Sequence, residues 1–236
     1  VVIPTYNAAA YIEACLDSVY AQAGDFELDV IVVDDGSSDD TVARVKSSGR
    51  PLRCVEQANA GPAAARNTAL RAVRGEFIAY LDSDDLWPPG KLAKQLALLQ
   101  AHPDIGLVFG DCRQFDEHGE YDQTLFESAF GGGDFWGDPL YVVQPYAKLL
   151  HGNFITTGSI VMRRACLARV GLFDEGLRLV EDLEYWLRIA LAFPIAHFDE
   201  VCLLRRRHQE NTSRDQVAMS QAFLQVLKAH RERYAD

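Results

Sequence analysis

For about its first hundred residues the chain alternates short apolar runs with amphipathic segments. Val1-Val2-Ile3, Val30-Ile31-Val32-Val33, Leu52–Val55, Phe77–Leu81 and Ile105–Phe109 read as strands. Between them, Ile12, Leu16 and Val19 share one helical face, and Asn7 stands where it can cap that helix. A short helix is predicted through Thr41–Val45, an alanine-rich one over Ala63–Val73 after the turn Asn59-Ala60-Gly61-Pro62, and an amphipathic one over Lys91–Gln100. Such alternation predicts a mostly parallel sheet covered by helices on both faces. The pattern changes near residue 110. Residues 111–138 are polar, aromatic and glycine-rich, with Gly131-Gly132-Gly133, and read as a long loop, mobile without ligand. Beyond it come a helix around Tyr146–Leu150, a strand around Ser159–Met162, a helix from Leu183 to Leu191, and short strands at Ile195–Phe198 and Val201–Leu204. A last helix, Gln216 to Tyr234, is expected to pack through Val217, Phe223, Leu224 and Leu227. With no internal repeat and no Pro/Ser-rich linker, the expectation is a single domain over 1–236, with halves 1–110 and 111–236.

Composition narrows the function. A chain of 236 residues that is 48% hydrophobic can build a full core. A net charge of −11 argues against nucleic acid as a partner. The one basic cluster, Arg205-Arg206-Arg207-His208, is either a solvated strand end or an anion site. Cys15, Cys54, Cys112, Cys166 and Cys202 are far apart with no Cys-x-x-Cys, so neither a zinc site nor a disulfide framework is indicated, and a reduced, cytoplasmic chain fits. No run reaches transmembrane length and no signal peptide is visible. The chain begins inside an apparent strand without Met, which reads as trimmed; membrane association would come through segments outside these residues.

The candidate chemistry lies where apolar runs stop. Phe77–Leu81 runs into Asp82-Ser83-Asp84-Asp85, three carboxylates in four positions. Crowded carboxylates raise one another's pKa, and a hard divalent cation bridging to a phosphate relieves them. Equally, the segment reads as a solvated turn with Asp85 capping the helix that Pro88 and Pro89 introduce. Two further strand ends carry Pro4-Thr5-Tyr6-Asn7 and Asp34-Asp35-Gly36. Alone, Tyr6 reads as a packed aromatic and Asp34 or Asp35 as a turn former. If the strands are parallel, all three ends share one rim, where such sheets bind ligands. They then offer a ring for a planar base, a carboxylate for a base N–H and a metal for phosphates. There is no Gly-x-Gly-x-x-Gly after the first strand and no Gly-Lys-Ser/Thr, so this is neither a dinucleotide site nor a P-loop.

Taken together, Val2–Asn7, Val33–Asp39, Gly61 through Ala65-Arg66-Asn67, Leu81–Asp85 and Glu181-Asp182 make the chain resemble a family-2 inverting glycosyltransferase of the GT-A fold. The resemblance implies a central, mostly parallel sheet flanked by helices. Residues 1–110 would form the nucleotide-sugar half and 111–236 an acceptor-side lobe. It implies Pro4, Tyr6 and Asp35 around the base, Arg66 beside the nucleotide, Asp82 near the ribose or a metal-bound water, and Asp84 as ligand to Mg²⁺ or Mn²⁺. His208 would contact metal or phosphate, near Asn211 and Ser213. Asp182 would be the catalytic base, with Glu181 and Trp186 on the acceptor side and Asn153–Ser159 as the acceptor wall. Read without the family, Arg66 is a surface helix arginine, Asp182 a helix N-cap and Trp186 a core residue. The implied reaction moves a sugar, with UDP as the default nucleotide, to a glycan or lipid-linked acceptor hydroxyl in polysaccharide or glycolipid assembly, at the cytoplasmic face of a membrane. The rival readings are an inactive nucleotide-sugar-binding module and a sugar nucleotidyltransferase.

Overall fold

The computed structural model describes residues 1–130, 135–209 and 215–234. In chain order the elements are β1 (Val2–Thr5), α1 (Ile12–Tyr20), β2 (Val30–Asp34), α2 (Thr41–Ser47), β3 (Leu52–Glu56), α3 (Pro62–Leu70), β4 (Phe77–Ala79) and α4 (Lys91–Ala101). The second half adds β5 (Leu107–Asp116), β6 (Gly119–Thr124), α5 (Leu125–Phe130), α6 (Pro145–Leu149), a 3-10 turn (Thr157–Ser159), β7 (Val161–Arg163), α7 (Arg164–Val170), α8 (Glu181–Ala192), β8 (Ile195–Arg206) and α9 (Gln216–Tyr234).

β1, β2 and β3 are parallel, and Thr5, Asp34 and Glu56 end them side by side. β4 continues the row beside β1 through a parallel bridge between Val2 and Tyr80, where Leu81 N–H donates to Val2 O at 3.1 Å. β7 then runs antiparallel between β4 and β5, and β8 is parallel to β5. The expected mostly parallel sheet is therefore present. Successive strand residues point to opposite faces and divide the core in two. Val2, Ile31, Ile78 and Leu107 pack with α3 and α8. Ile3, Val32, Ala79 and Val108 pack with α1 and α4. β1 and β2 are buried along their whole length, which explains why they read as unbroken apolar runs. Small alanines at 63, 64, 65 and 69 let α3 lie close on the sheet.

Four expectations are corrected. The loop expected over 111–138 is largely regular structure: β5 runs to Asp116, β6 folds back on it as a hairpin, and α5 follows. Its outer residues are paired to β8 at the half-buried end of the strand, as in Arg113–Leu204 and Phe115–Arg206. Gly131-Gly132-Gly133 lies outside the described residues. Ile195–Phe198 and Val201–Leu204 are one strand, β8, whose register shifts opposite Gly110–Cys112. Asn7 does not cap α1, which starts five residues later. On α9 the packed face is Met219, Ala222, Phe223, Val226 and His230, a helical stripe. Val217 and Leu224 are 69% and 64% exposed. Among the described residues no helix is long and apolar enough to cross a membrane.

Candidate active site

An open cleft of about 620 Å³ follows the carboxyl-end rim of the sheet and meets the start of α8. Pro4, Tyr6, Asp35, Arg66, Asp82, Asp84, Glu181, Asp182 and His208 all line it. Trp186 is not among the lining residues, and of the expected acceptor wall Asn153–Ser159 it is Thr157 that lines the cleft.

At one end of the cleft the backbone is knitted by carboxylates. Asp34 accepts from Ser37 N–H at 2.9 Å and Ser37 Oγ–H at 2.5 Å. Asn7, at φ 50°, donates its N–H to Ser37 Oγ (2.9 Å) and accepts from Ser38 N–H on Oδ1 (2.8 Å), tying the β1 end to the β2 end. Asp35 Oδ1 accepts from Gln57 Nε2 (2.8 Å) and Ala60 N–H (2.9 Å), and Oδ2 from Gly61 N–H (2.8 Å). A carboxylate has about four acceptor positions, so these bonds leave one. Gly61 sits at φ +94°, a left-handed conformation that favours glycine, and the Arg178 guanidinium lies over it. Tyr6 is 54% exposed: it is not the packed aromatic that it reads as alone.

The middle of the cleft holds the acid cluster. Asp82 Oδ1 lies 2.8 Å from Arg66 Nη2, and Asp84 Oδ2 lies 2.8 Å from His208 Nε2. The His208 ring stacks on Tyr11 at 4.9 Å. Asp85 does not cap a helix, because α4 begins after Gly90; its Oδ1 accepts from Arg206 N–H at 2.8 Å. Asp85 is 4% exposed, and burial, followed by Asp84 and Asp82, pushes its pKa well above the carboxylate range. Asn211 and Ser213 lie outside the described residues. Among the described residues no group of three or more His, Cys, Asp or Glu side chains could enclose a metal. The donor set instead fits a hard cation that takes one or two protein ligands, Asp84 first and His208 beside it, and the rest from water and phosphate. Such a cation would relieve the part of the Asp85 rise that comes from Asp84 and Asp82.

At the far end, Val180 adopts φ 53°, an unfavourable conformation for a β-branched residue, and turns the chain into α8. Glu181 is buried and accepts from Arg66 Nη1 at 2.5 Å. Arg66 thus bridges Asp82 and Glu181 and is 5% exposed, not a surface arginine. Burial alone would lower its pKa; Asp82 and Glu181 more than reverse that. Asp182 follows Glu181 inside the helix and is not its N-cap, which is Val180. Its Oδ2 accepts from Asn153 Nδ2 and Thr157 Oγ1, both at 3.2 Å, and its Oδ1 from Leu183 N–H at 2.7 Å. Burial raises the Asp182 pKa, partly offset by Arg66 and by those hydrogen bonds. Trp186, expected on the acceptor side, is fully buried edge-on to Tyr80 and Phe173. It lies one helical turn deeper than Asp182, under the sheet. Tyr11, Arg178 and Val180 were not singled out from sequence. The last two directly precede Glu181-Asp182, and that adjacency was the available signal.

A sheet of this kind, with carboxylates on its carboxyl-end rim and a second acid pair facing them, has the GT-A glycosyltransferase fold. The chain belongs to glycosyl transferase family 2, whose family model matches residues 1–171. An uncharacterized protein of Mycobacterium tuberculosis is 30% identical over 98% of this chain and 69% of its own length. Chondroitin synthase of Escherichia coli is 32% identical over 89% of this chain, which spans only 29% of that enzyme. Among solved structures, a mannosyltransferase of Pyrobaculum calidifontis in complex with GDP-Man and Mn²⁺ superposes with a TM-score of 0.73 at 26% identity, covering 98% of this chain and 63% of the other. TarS of S. aureus in complex with UDP-GlcNAc superposes with a TM-score of 0.70 at 20% identity over 98% and 72%.

Proposed function

We propose that residues 1–236 form one domain that transfers a sugar, with inversion, from a nucleoside-diphosphate sugar to an acceptor hydroxyl, using Asp182 as general base. The observation that carries this reading is the setting of Asp182. It lies in the same cleft as Asp84, with both oxygens oriented by donors and its pKa raised. A hydroxyl entering beside Asn153 and Thr157 meets a carboxylate that can take its proton as attack proceeds. Tyr6 would stack on the base. The single acceptor position left on Asp35 suits a base with one imide N–H, which favours UDP over GDP as the donor nucleotide. Arg66 holds Asp82 and Glu181 at a fixed separation, so the donor and acceptor sides keep their register. Mg²⁺ or Mn²⁺ held at Asp84 and His208 would neutralise charge on the leaving diphosphate. Solved relatives carrying UDP-GlcNAc or GDP-Man with Mn²⁺ support the donor class and the metal. The acceptor we assign is a glycan or lipid-linked sugar at the cytoplasmic face, in polysaccharide or glycolipid assembly.

The deciding experiment is Asp182→Asn. Transfer, or donor hydrolysis where no acceptor is in hand, should fall by roughly 10²–10⁴. Donor affinity by calorimetry should stay within twofold. A residual rate above a tenth of wild type moves the role to Glu181, which Glu181→Gln then tests.

A further inference from the structure

Three side chains outside the cleft's chemistry converge on one short turn. Trp87 Nε1–H donates to Gly158 O at 2.8 Å, Gln95 Nε2–H to Ser159 O at 2.8 Å, and Lys91 Nζ–H to Ile160 O at 3.1 Å. Three successive carbonyls are thus held, one by Trp87 in the segment before α4 and two by Lys91 and Gln95, which stand four apart on one face of α4. All three are buried, at 3%, 0% and 2% exposed. The Lys91 ammonium also lies over the Trp87 ring at 4.3 Å. The other side of the turn is closed by β8, since a Cβ on Gly158 would come within 2.6 Å of Leu203 Cδ1. The turn has no freedom to slide. Its first residue, Thr157, donates its hydroxyl to Asp182 Oδ2. Trp87 follows Asp84 by three residues, so one continuous segment carries both the acid cluster and this clamp.

None of the three side chains lines the cleft, and burying a lysine and a glutamine amide to hold a turn is costly for packing alone. We propose that Trp87, Lys91 and Gln95 are positioning residues that fix the orientation of the Asp182 carboxylate through the Thr157–Ser159 turn. Its catalytic meaning rests on Asp182 being the base.

The test is read first on the free protein, by carboxylate ¹³C NMR of Asp182 across pH, and needs no acceptor. Thr157→Val sets the scale: deleting a donor to the carboxylate should raise its titration midpoint. Trp87→Phe keeps an aromatic ring and removes the indole N–H. It should raise the midpoint by at least half as much, and the double variant should go no further than Thr157→Val alone. Gln95→Met should shift it in the same direction, which keeps the test alive if Trp87→Phe does not fold. An unmoved Asp182 in the folded variants overturns the proposal, as do additive shifts in the double variant. In turnover, Trp87→Phe should lower kcat roughly 10- to 100-fold at unchanged donor KM. A loss confined to thermal stability, with midpoint and kcat at wild-type values, also overturns it. Failure of the base assignment is read separately, as an active Asp182→Asn.

Discussion

Two groups of carboxylates end strands on either side of β1, and they are held in opposite ways. Asp34 and Asp35, at the end of β2, are satisfied by neutral donors: backbone N–H groups, a serine hydroxyl and a glutamine amide. Asp82, Asp84 and Asp85, after β4, face Arg66, His208 and one another. The first group is a finished cradle whose geometry needs no ligand. The second is met by the Arg66 guanidinium from α3 and the His208 ring after β8, and burial, with Asp84 and Asp82 adding to it, drives Asp85 upward in pKa. Base recognition here should therefore be insensitive to added cation, and phosphate recognition should depend on it.

The hardest blow to that contrast is Arg66→Met. It leaves Glu181 buried without its partner and Asp82 unopposed. Unfolding in urea should show a loss of about 3 kcal/mol, the lower end for a broken buried pair because Asp82 still meets water. A loss below about 1 kcal/mol would mean that the acid cluster does not depend on this cation. Next comes Asp84→Asn, which keeps shape and removes charge. UDP affinity in Mn²⁺ should fall at least about 10-fold, the scale of a disturbed metal site, with little change in EDTA. Equal losses in the two buffers would remove Asp84 from the metal. Tyr6→Ala probes the finished cradle and should cost roughly 1–3 kcal/mol of UDP affinity by calorimetry, in Mn²⁺ and EDTA alike. A loss seen only with metal present would erase the distinction between the two groups. The last effect is read as a slope against pH rather than as a single loss. Burial lowers the Lys91 pKa to about 7, so from pH 7 toward 10 the unfolded chain binds a proton that the folded chain lacks. Wild-type stability should gain up to about 1.4 kcal/mol per pH unit from this residue as pH rises. Lys91→Met should flatten that part of the pH–stability curve; an unchanged slope would mean that Lys91 stays charged.

How far this contrast was legible in sequence depended on what neighbours each residue. The strand ends were legible, because an apolar run that halts at Asp-Asp or Asp-Ser-Asp-Asp is a local pattern. Asp182 was reached only through resemblance, since one acidic pair before a helix has many uses. Arg66 read as a surface residue because its partners lie 16 and 115 positions away. The outer part of β5 read as loop because its pairing with β8 satisfies the backbone while leaving side chains half-exposed, so no hydrophobic alternation marks it. Trp186 and Asp182 stand four apart on one helix, and only the depth of the sheet separates the buried position from the cleft.

Arg206 N–H binds Asp85 across 121 positions, and His208 meets Asp84 across 124. The aspartates emerge from the ribosome early and their closing partners near the end of this domain. At about 5–20 residues per second, several seconds pass between the two. During that interval β1 to β4 and the Asp34–Asp35 cradle can form from local contacts, while the acid cluster remains unclosed. Completion of the cleft is thus tied to docking of β8, a late and non-local step of the kind that slows folding. A nascent or truncated chain lacking residues beyond 200 would hold the Asp34–Asp35 cradle but leave Asp84 without His208 and Asp85 without the Arg206 N–H.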